Sequence, residues 1–170
     1  NDRTWCFWES GEGDLEEMVH KNWNRAYFNA DGFDLDFSME PFQYKMIRSL
    51  DFYRSMKNKL SEFDQLTQIR EKVIRIDEDH VTTEVQTFHG DKIFSSIYDP
   101  KRLAQQKKYP VLLQHFVGQV VQTKKPCFEP NKIDFMNFNV PQKGNTRFIY
   151  VLPMNANKAL IEYTLFSKNV

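Results

Sequence analysis

Apolar and polar residues alternate with a period of two along much of the chain, and this pattern predicts mainly β-strands. Between Phe33 and Ser38, Phe and Leu occupy every second position, and Asp and Ser occupy the others. A strand-like stretch precedes them, and the Asp31-Gly32 dipeptide between the two readily adopts the positive φ angles of a tight turn. Residues 23–39 are therefore predicted to form a β-hairpin.

One segment follows the helical period instead. Its apolar side chains recur at spacings of three and four residues, at Leu50, Tyr53, Met56, Leu60 and Phe63. Ser49 is expected to cap the N-terminus, and Asp51 places a negative charge in the first turn, where the helix dipole favours it. We predict a helix over 49–63 and interpret its apolar stripe as core.

The remaining segments have the composition of strands and turns. The predicted elements are a short helical turn at 18–20, an extended segment at 44–47, strands at 67–77, 80–87, 92–99, 109–123, 134–140, 146–152 and 159–167, and a polar loop at 100–110. The predicted fold class is α+β, with an antiparallel or mixed β-sheet of about six or seven strands and one main helix.

Composition narrows the classes of function. Lys and Arg together number 23, as do Asp and Glu, so no excess of positive charge favours nucleic acid as a partner. No apolar run has the length of a membrane span, and no signal peptide is recognisable. We expect a cytoplasmic protein that can still contact a membrane surface, with Cys6 and Cys127 as buried or half-buried thiols. Aromatic residues make up 15% of the chain, which suits either an aromatic β core or a pocket for an elongated apolar ligand.

The chain lacks the motifs of several common sites. It contains no G-x-G-x-x-G, P-loop or G-x-S-x-G sequence, so it offers no recognised cradle for a dinucleotide and no support for acyl transfer. The four histidines lack metal-ligand spacing, and no metal site is predicted. His115 alone lies in an apolar strand, where it is either a structural residue or part of a pocket.

Glu162 is the other polar residue in apolar surroundings. Alternation places Leu160, Glu162 and Thr164 on one face of the predicted strand, and Ile161 and Tyr163 on the other. Burial in such surroundings would raise the proton affinity of the carboxyl group, as a general acid requires. On spacing alone, a Glu on a solvated sheet face is the alternative.

Five segments in series resemble the bacterial lycopene cyclases. They are the R-T-W-x-F sequence that begins at Arg3, the Y-x-x-I-x-S sequence and helix over 44–60, the Q-x-F-x-G strand over 114–118, the M-x-F-x-V-P-Q stretch over 136–142, and the L-P turn at 152–153 with the apolar-Glu-x-Thr segment around Glu162. In this order, they cover nearly the whole chain.

The resemblance implies a fold and a reaction. Lycopene cyclases have a Rossmann-type FAD domain and an inserted antiparallel sheet that holds the substrate. We accordingly assign residues 23–39 and 110–166 to a substrate-binding sheet and 44–99 to the part associated with the FAD domain. The implied reaction is the non-redox, acid-catalysed cyclisation of the ends of lycopene, or of a related acyclic carotenoid, to β-ionone rings. Reduced FAD is the implied cofactor of the complete protein, and NAD(P)H is its reductant.

The resemblance also implies site residues. Glu162 matches the first acid of the family's motif and is expected to be the catalytic acid–base residue. The expected substrate-binding residues are Gln114, His115, Phe116, Met136, Phe138, Tyr163 and Thr164. The glycine-rich flavin motif is not in this chain, so no flavin-binding residue is assigned. We expect the chain alone to bind FAD weakly or not at all and to be inactive.

The chain departs from the family pattern at three positions. Tyr163 stands where the family has a second acid, and Asn137 stands where the family usually has Asp. Pro100 interrupts the segment 97–100, which otherwise resembles the family segment at which the chain returns to the FAD domain.

Two alternative functions stay open. One is another FAD-dependent enzyme of the same fold, such as a hydroxylase or prenyl reductase, and the other is a non-enzymatic carrier of an apolar ligand. We also expect homodimer formation through exposed sheet edges.

Overall fold

The computed structural model describes residues 3–97, 105 and 107–168. The chain forms two compact units, one from residues 1–58 and 111–170 and the other from residues 59–110. The described elements are the α-helix at Ser49–Ser61, a short 3₁₀ turn and twelve β-strands. The α+β class predicted from the sequence is therefore confirmed.

The first unit contains a mixed six-stranded β-sheet. In spatial order its strands are β4 (Phe33–Ser38), β3 (Arg25–Ala30), β10 (Lys132–Asn137), β11 (Thr146–Asn155), β12 (Lys158–Ser167) and β9 (Leu113–Gln122). The β10–β3 pair is parallel, and the other four pairs are antiparallel. β3 and β4 form the predicted hairpin, and Gly32 in its turn has a φ of 72°.

A three-stranded sheet belongs to the same unit. Its order is β1 (Thr4–Ser10), β5 (Phe42–Arg48) and β2 (Val19–Trp23). The main buried cluster draws on both sheets and consists of Trp23, Ala26, Met39, Met46, Ile133 and Leu152. The core of this unit therefore lies between the two sheets. The helical turn predicted at 18–20 occurs earlier, as a 3₁₀ turn at Glu16–Met18, and is followed directly by β2.

A buried lysine holds the segment between β1 and β2. Lys45 on β5 is 1% exposed. Its Nζ lies 2.9 Å from Oε2 of Glu9 and 2.5 Å from the carbonyl oxygen of Gly11, and it also forms an ion pair with Glu16. Hydrogen bonding to Glu16 and Glu9 raises the pKa of Lys45, so the ammonium group stays charged. These acceptors offset the lost hydration of the buried charge.

The predicted helix is confirmed as α1 (Ser49–Ser61), but the interpretation of its apolar stripe as core is wrong. None of its described residues is buried, and Leu50 and Tyr53 are 49% and 63% exposed. Trp5 makes edge-to-face contacts with the rings of Phe52 and Tyr53. The helical period predicts conformation, whereas burial also needs a partner that covers the apolar face.

The second unit contains a small antiparallel meander. Its strands are β6 (Val73–Ile76), β7 (His80–Thr83) and β8 (Thr87–His89), paired in that order. The strand predicted at 92–99 is wrong for residues 92–97, which have no regular structure. Alternation alone does not form a strand, because its backbone groups need a partner strand. Residues 98–99, and most of the loop predicted at 100–110, lie outside the described residues.

The two cysteines differ in exposure. Both are free, Cys6 is half-buried as expected, and Cys127 is exposed, contrary to expectation. Cys127 lies in the turn between β9 and β10, where its backbone N–H donates to the carbonyl oxygen of Ala156. The turn therefore leaves the thiol of Cys127 in contact with solvent, although the hydrogen bond to Ala156 fixes the backbone.

Candidate functional site

Glu162 lies in the middle of β12, between two neighbouring strands. Its register partners are Tyr150 on β11 and Gly118 on β9. Register partners present their side chains on the same face of a sheet. The carboxyl group therefore has a tyrosine on one side and, at Gly118, no side chain on the other. Leu160 and Thr164, two residues away, share this face.

The carboxyl group of Glu162 is half-buried, and its pKa is raised. Burial is the larger cause of the raised pKa. The hydroxyl of Thr164, a fully buried residue, donates a 3.4 Å hydrogen bond to Oε1 of Glu162 and lowers the pKa in part. Among the residues that the structure describes, no cation contributes to the shift. A carboxyl group in this state holds its proton more readily than an exposed one, as a general acid requires.

Three weakly acidic groups interact electrostatically with Glu162, one each from β1, β5 and β11. Burial raises the pKa values of the Cys6 thiol and the Tyr150 hydroxyl to about 12, and it also raises the pKa of Tyr44, which is hydrogen-bonded to Cys6. The charge of Glu162 contributes to all three shifts, so the carboxyl group lies within electrostatic reach of each. At neutral pH these neighbours are uncharged.

The face that carries Glu162 continues onto β9 as an apolar surface. Phe116 and Val120 lie two residues before and after Gly118, and they are 64% and 60% exposed. Alternation along β9 puts Gln114 on the same face. Of the predicted substrate-binding residues, Gln114, Phe116 and the buried Thr164 therefore share the face of Glu162.

Two other predicted substrate-binding residues lie on the opposite face. His115 and Tyr163 are adjacent in sequence to residues of the Glu162 face, so alternation directs their side chains away from it. The hydroxyl of Tyr163 accepts a 3.2 Å hydrogen bond from the guanidinium group of Arg147. His115 is half-buried, and its Nε2 has no hydrogen-bond partner among the described residues. The structure does not bring these two residues to Glu162.

The last two predicted substrate-binding residues lie at the end of β10. A bulge interrupts the register there, and Met136 has a φ of 60°, which is uncommon for a residue other than glycine. The ring of Phe138 lies 5.2 Å from that of Phe148, which is the register partner of Thr164. Phe138 therefore contacts the sheet face of Glu162 through Phe148, whereas Met136 lies in the bulge.

A cavity of about 700 Å³ lies at one end of the six-stranded sheet. Phe166 and Ser167 of β12, together with Gln142, are among its lining residues. Glu162 is not among them. Phe166 lies on the same face of β12 as Glu162, so the cavity reaches this face at the end of the strand but does not include the carboxyl group.

A second half-buried acid lies on the other face of the sheet. Burial raises the pKa of Asp134 on β10, and a cavity of about 420 Å³ beside it is also lined by Asp36 and Lys132. Its register partner is Val151, next to Tyr150, so its side chain faces away from Glu162. Asp134 was not among the predicted site residues, although its sequence signal is similar to that of Glu162: a carboxylate between two apolar residues of a strand.

The second unit contains a group of metal-ligating residue types. Asp79, His80 and His89 each offer a ligand atom, and these atoms lie within 4.8 Å of one another. Sequence spacing did not reveal the group, because His80 and His89 meet as register partners of β7 and β8. The two ring nitrogens of His80 already lie 2.8 Å from Asp79 and 3.0 Å from Asp77. These carboxylate contacts account for the arrangement without a metal ion.

The whole chain also matches a known family of sequences. The family model described as "Lycopene cyclase protein" matches residues 1–170. No curated protein matches the chain. The family match includes Glu162 and all of the strands around it.

Proposed function

The chain belongs to the lycopene cyclase family, and from that premise we propose that Glu162 is the acid–base residue that cyclises the ends of lycopene or a related acyclic carotenoid. The family acts in carotenoid biosynthesis, which supplies the class of substrate. One observation carries the assignment to this residue. The carboxyl group of Glu162 is half-buried, has a raised pKa and lies on a face that continues into exposed apolar side chains.

Protonation of a carbon–carbon double bond needs an acid that keeps its proton until the substrate is bound. An exposed glutamate is ionised at neutral pH, whereas partial burial favours the protonated form of Glu162. No cation in the described part of the chain stabilises its carboxylate. The hydrogen bond from Thr164 to Oε1 orients the group, so Oε2 is the oxygen on the Gly118 side.

The proposed reaction is an isomerisation in which the composition of the substrate does not change. Glu162 transfers its proton to the terminal double bond, which leaves a carbocation and a carboxylate. A second double bond of the same chain supplies an electron pair to the cation, and a six-membered ring closes. The carbon next to the new cation then loses a proton to the carboxylate, which restores a double bond and completes a β-ionone ring.

A carbocation beside water would be captured as an alcohol, so the reacting end needs apolar surroundings. Phe116 and Val120 supply such surroundings next to Gly118. The ring face of Phe116 can also stabilise positive charge. We propose that the bound carotenoid itself covers these two exposed side chains.

The family is generally associated with FAD, but the strand-to-helix turn between β5 and α1, in the part of the chain that the structure describes, does not fit a pyrophosphate site. Pyrophosphate binding at a strand-to-helix turn needs glycines for the close approach of the backbone. The connection from β5 to α1 passes through Arg48 and Ser49 without a glycine. We therefore assign no flavin-binding residue in the described part of the chain.

The expectations about location and assembly stay predictions. No helix among the described residues has the length and apolarity that a membrane crossing needs. Peripheral membrane contact and a cytoplasmic location are proposed from the sequence and the apolar substrate. A homodimer is proposed to form through the exposed sheet edge β4, which carries exposed apolar residues such as Phe33 and Leu35.

The proposal is tested by expressing the protein that carries this chain in lycopene-accumulating cells and separating the pigments. Glu162→Gln keeps the shape of the side chain but has no acidic proton. It is expected to lower ring formation by about 100-fold or more, the usual contribution of a general acid. Asp134→Asn is the matched control, because it neutralises a half-buried acid on the opposite face and is expected to leave ring formation unchanged.

Each alternative has its own outcome. Undiminished ring formation in Glu162→Gln removes this residue from the mechanism. Stoichiometric oxidation of NAD(P)H by the purified protein favours a flavin-dependent hydroxylase or reductase. A carotenoid that copurifies without cyclised product favours a non-enzymatic carrier.

A further inference from the structure

Gly118 occupies the interior of β9, although its backbone conformation does not require glycine. Its φ is not in the positive range, unlike that of Gly32, and its register with β12 is regular on both sides. Glycine weakens a strand, because it loses more conformational entropy on folding and has no side chain to pack. A glycine at such a position often marks the close approach of a ligand or of another backbone.

The space that Gly118 leaves borders the carboxyl group of Glu162. A Cβ atom at position 118 would lie 3.8 Å from Oε2 of Glu162 and 3.4 Å from Cδ1 of Leu160. These are ordinary van der Waals distances, so alanine fits without displacing a neighbour. A branched side chain would place further methyl groups beside Oε2.

The other side of Glu162 is already occupied. Tyr150 stands there as its register partner on β11, and its ring lies 5.5 Å from that of Phe135 and 5.4 Å from that of Phe148. These ring contacts hold Tyr150 in place. Access to the carboxyl group along the sheet face is therefore from the side of β9, which is an edge strand.

We propose that Gly118 keeps open the path by which the reacting double bond of the carotenoid reaches Oε2 of Glu162. This inference rests on the proposed function and adds the direction from which the carotenoid approaches Glu162. The end of the polyene lies across β9 at Gly118, between the exposed side chains of Phe116 and Val120. The size of the residue at position 118 then decides how closely a double bond approaches the acid.

A series of side-chain sizes at position 118 tests the inference in the protein expressed in lycopene-accumulating cells. Gly118→Val is expected to lower ring formation by about 100-fold, the effect that a misplacement of about 1 Å has on reacting groups. Gly118→Ala is expected to lie between Gly118→Val and the unchanged protein. Both variants are expected to fold, because β9 is an exposed edge strand and valine favours strands over glycine. Thermal unfolding of the purified variants checks this.

Val117→Leu is the matched control. Val117 is the neighbouring residue, is 58% exposed and faces away from Glu162, so the control is expected to leave ring formation unchanged. A second measurement does not depend on turnover. Carbodiimide-driven amine labelling of Glu162, quantified by peptide mass spectrometry, is expected to fall in Gly118→Val and to stay unchanged in Val117→Leu.

Glu162→Gln, measured in parallel, separates the two proposals. If it is inactive while Gly118→Val cyclises lycopene as well as the unchanged protein, the inference about Gly118 is overturned and the proposed function stands. Equal losses of ring formation in Gly118→Val and Val117→Leu also overturn the inference about Gly118, because any substitution in β9 would then lower activity, whichever face it lies on. Full activity of Glu162→Gln overturns both.

Discussion

At the scale of single residues, the half-burial of Glu162 affects stability as well as chemistry. The folded protein raises the pKa of this carboxyl group, chiefly by burial. It therefore binds the proton more tightly than the unfolded chain, where the ordinary pKa of 4.5 applies. The tighter proton binding stabilises the folded protein at pH values below the ordinary pKa. This contribution to the free energy of unfolding is lost as the pH rises through the raised pKa of the folded protein.

Glu162→Gln is accordingly expected to raise the thermal midpoint of the chain at pH 7. Glutamine stays neutral, whereas the glutamate must either bury a charge or take up a proton when the chain folds at this pH. Each kcal/mol gained corresponds to roughly 2–4 °C for a chain of this size. Below pH 4.5 the difference is expected to vanish, since the carboxyl group is then protonated in both states. Calorimetric scans at several pH values measure it. A stabilisation that is independent of pH, or a destabilisation at pH 7, would contradict the assigned burial.

Strand alternation also bears on the second acid of the family motif. Tyr163 occupies that position here, and its side chain lies on the face opposite to Glu162, where its hydroxyl contacts Arg147. A carboxylate at position 163 would face the same way. The replacement by tyrosine therefore does not remove a charge from the face on which Glu162 lies.

At the scale of elements, a buried hydrogen bond connects the two sheets of the first unit. Trp23 at the end of β2 is 1% exposed, and its indole N–H donates a 2.8 Å hydrogen bond to the carbonyl oxygen of Pro153 on β11. Its ring also lies 6.2 Å from that of Tyr44 on β5, one of the groups near Glu162. Trp23 thus holds β5 and β11 together on the side where the candidate site forms.

Trp23→Phe is expected to lower the free energy of unfolding by about 2–3 kcal/mol, because it leaves a cavity and an unpaired buried carbonyl group. Trp5→Phe is the matched control. Trp5 is 37% exposed and makes ring contacts with α1, so the same substitution is expected to cost less than about 1 kcal/mol. Urea unfolding followed by circular dichroism compares the two. Similar losses would show that the hydrogen bond to Pro153 contributes little.

At the scale of the whole molecule, the apolar core is unevenly distributed. Among the described residues, every buried hydrophobic side chain belongs to the first unit. The described part of the second unit buries only Thr83, whose hydroxyl donates a hydrogen bond to Glu71 and accepts one from the backbone N–H of Gln86. Because buried apolar area supplies most of the stabilising free energy, the meander should be the less stable part of the chain.

Native-state hydrogen exchange is expected to show this difference. Backbone amides of β6, β7 and β8 should exchange through openings of low free energy, whereas those of β11 and β12 should require openings close to global unfolding. Peptide-resolved mass spectrometry measures both in one experiment. Equal protection of the two groups would mean that the meander is stabilised by more than its own hydrogen bonds.

Much of the fold could be predicted because it depends on neighbours in sequence. The Asp31-Gly32 turn specified the hairpin of β3 and β4, and the helical period located α1. The parallel pairing of β10 with β3 could not be predicted, because it joins strands that are far apart in the sequence and has no local signal. The bulge in β10 likewise shortened a strand that the alternation had extended to residue 140.

For the candidate site, the sequence by itself selected Glu162 as the candidate acid and determined which face of β12 it occupies and the family that the chain resembles. These follow from residue type, from the two-residue period of a strand, and from motifs in series. Only the tertiary structure decided that Glu162 is half-buried near Cys6 and Tyr44, that Gly118 lies beside its Oε2, and that His115 faces away. Burial and approach depend on strands brought together from distant parts of the chain, and no local pattern encodes them.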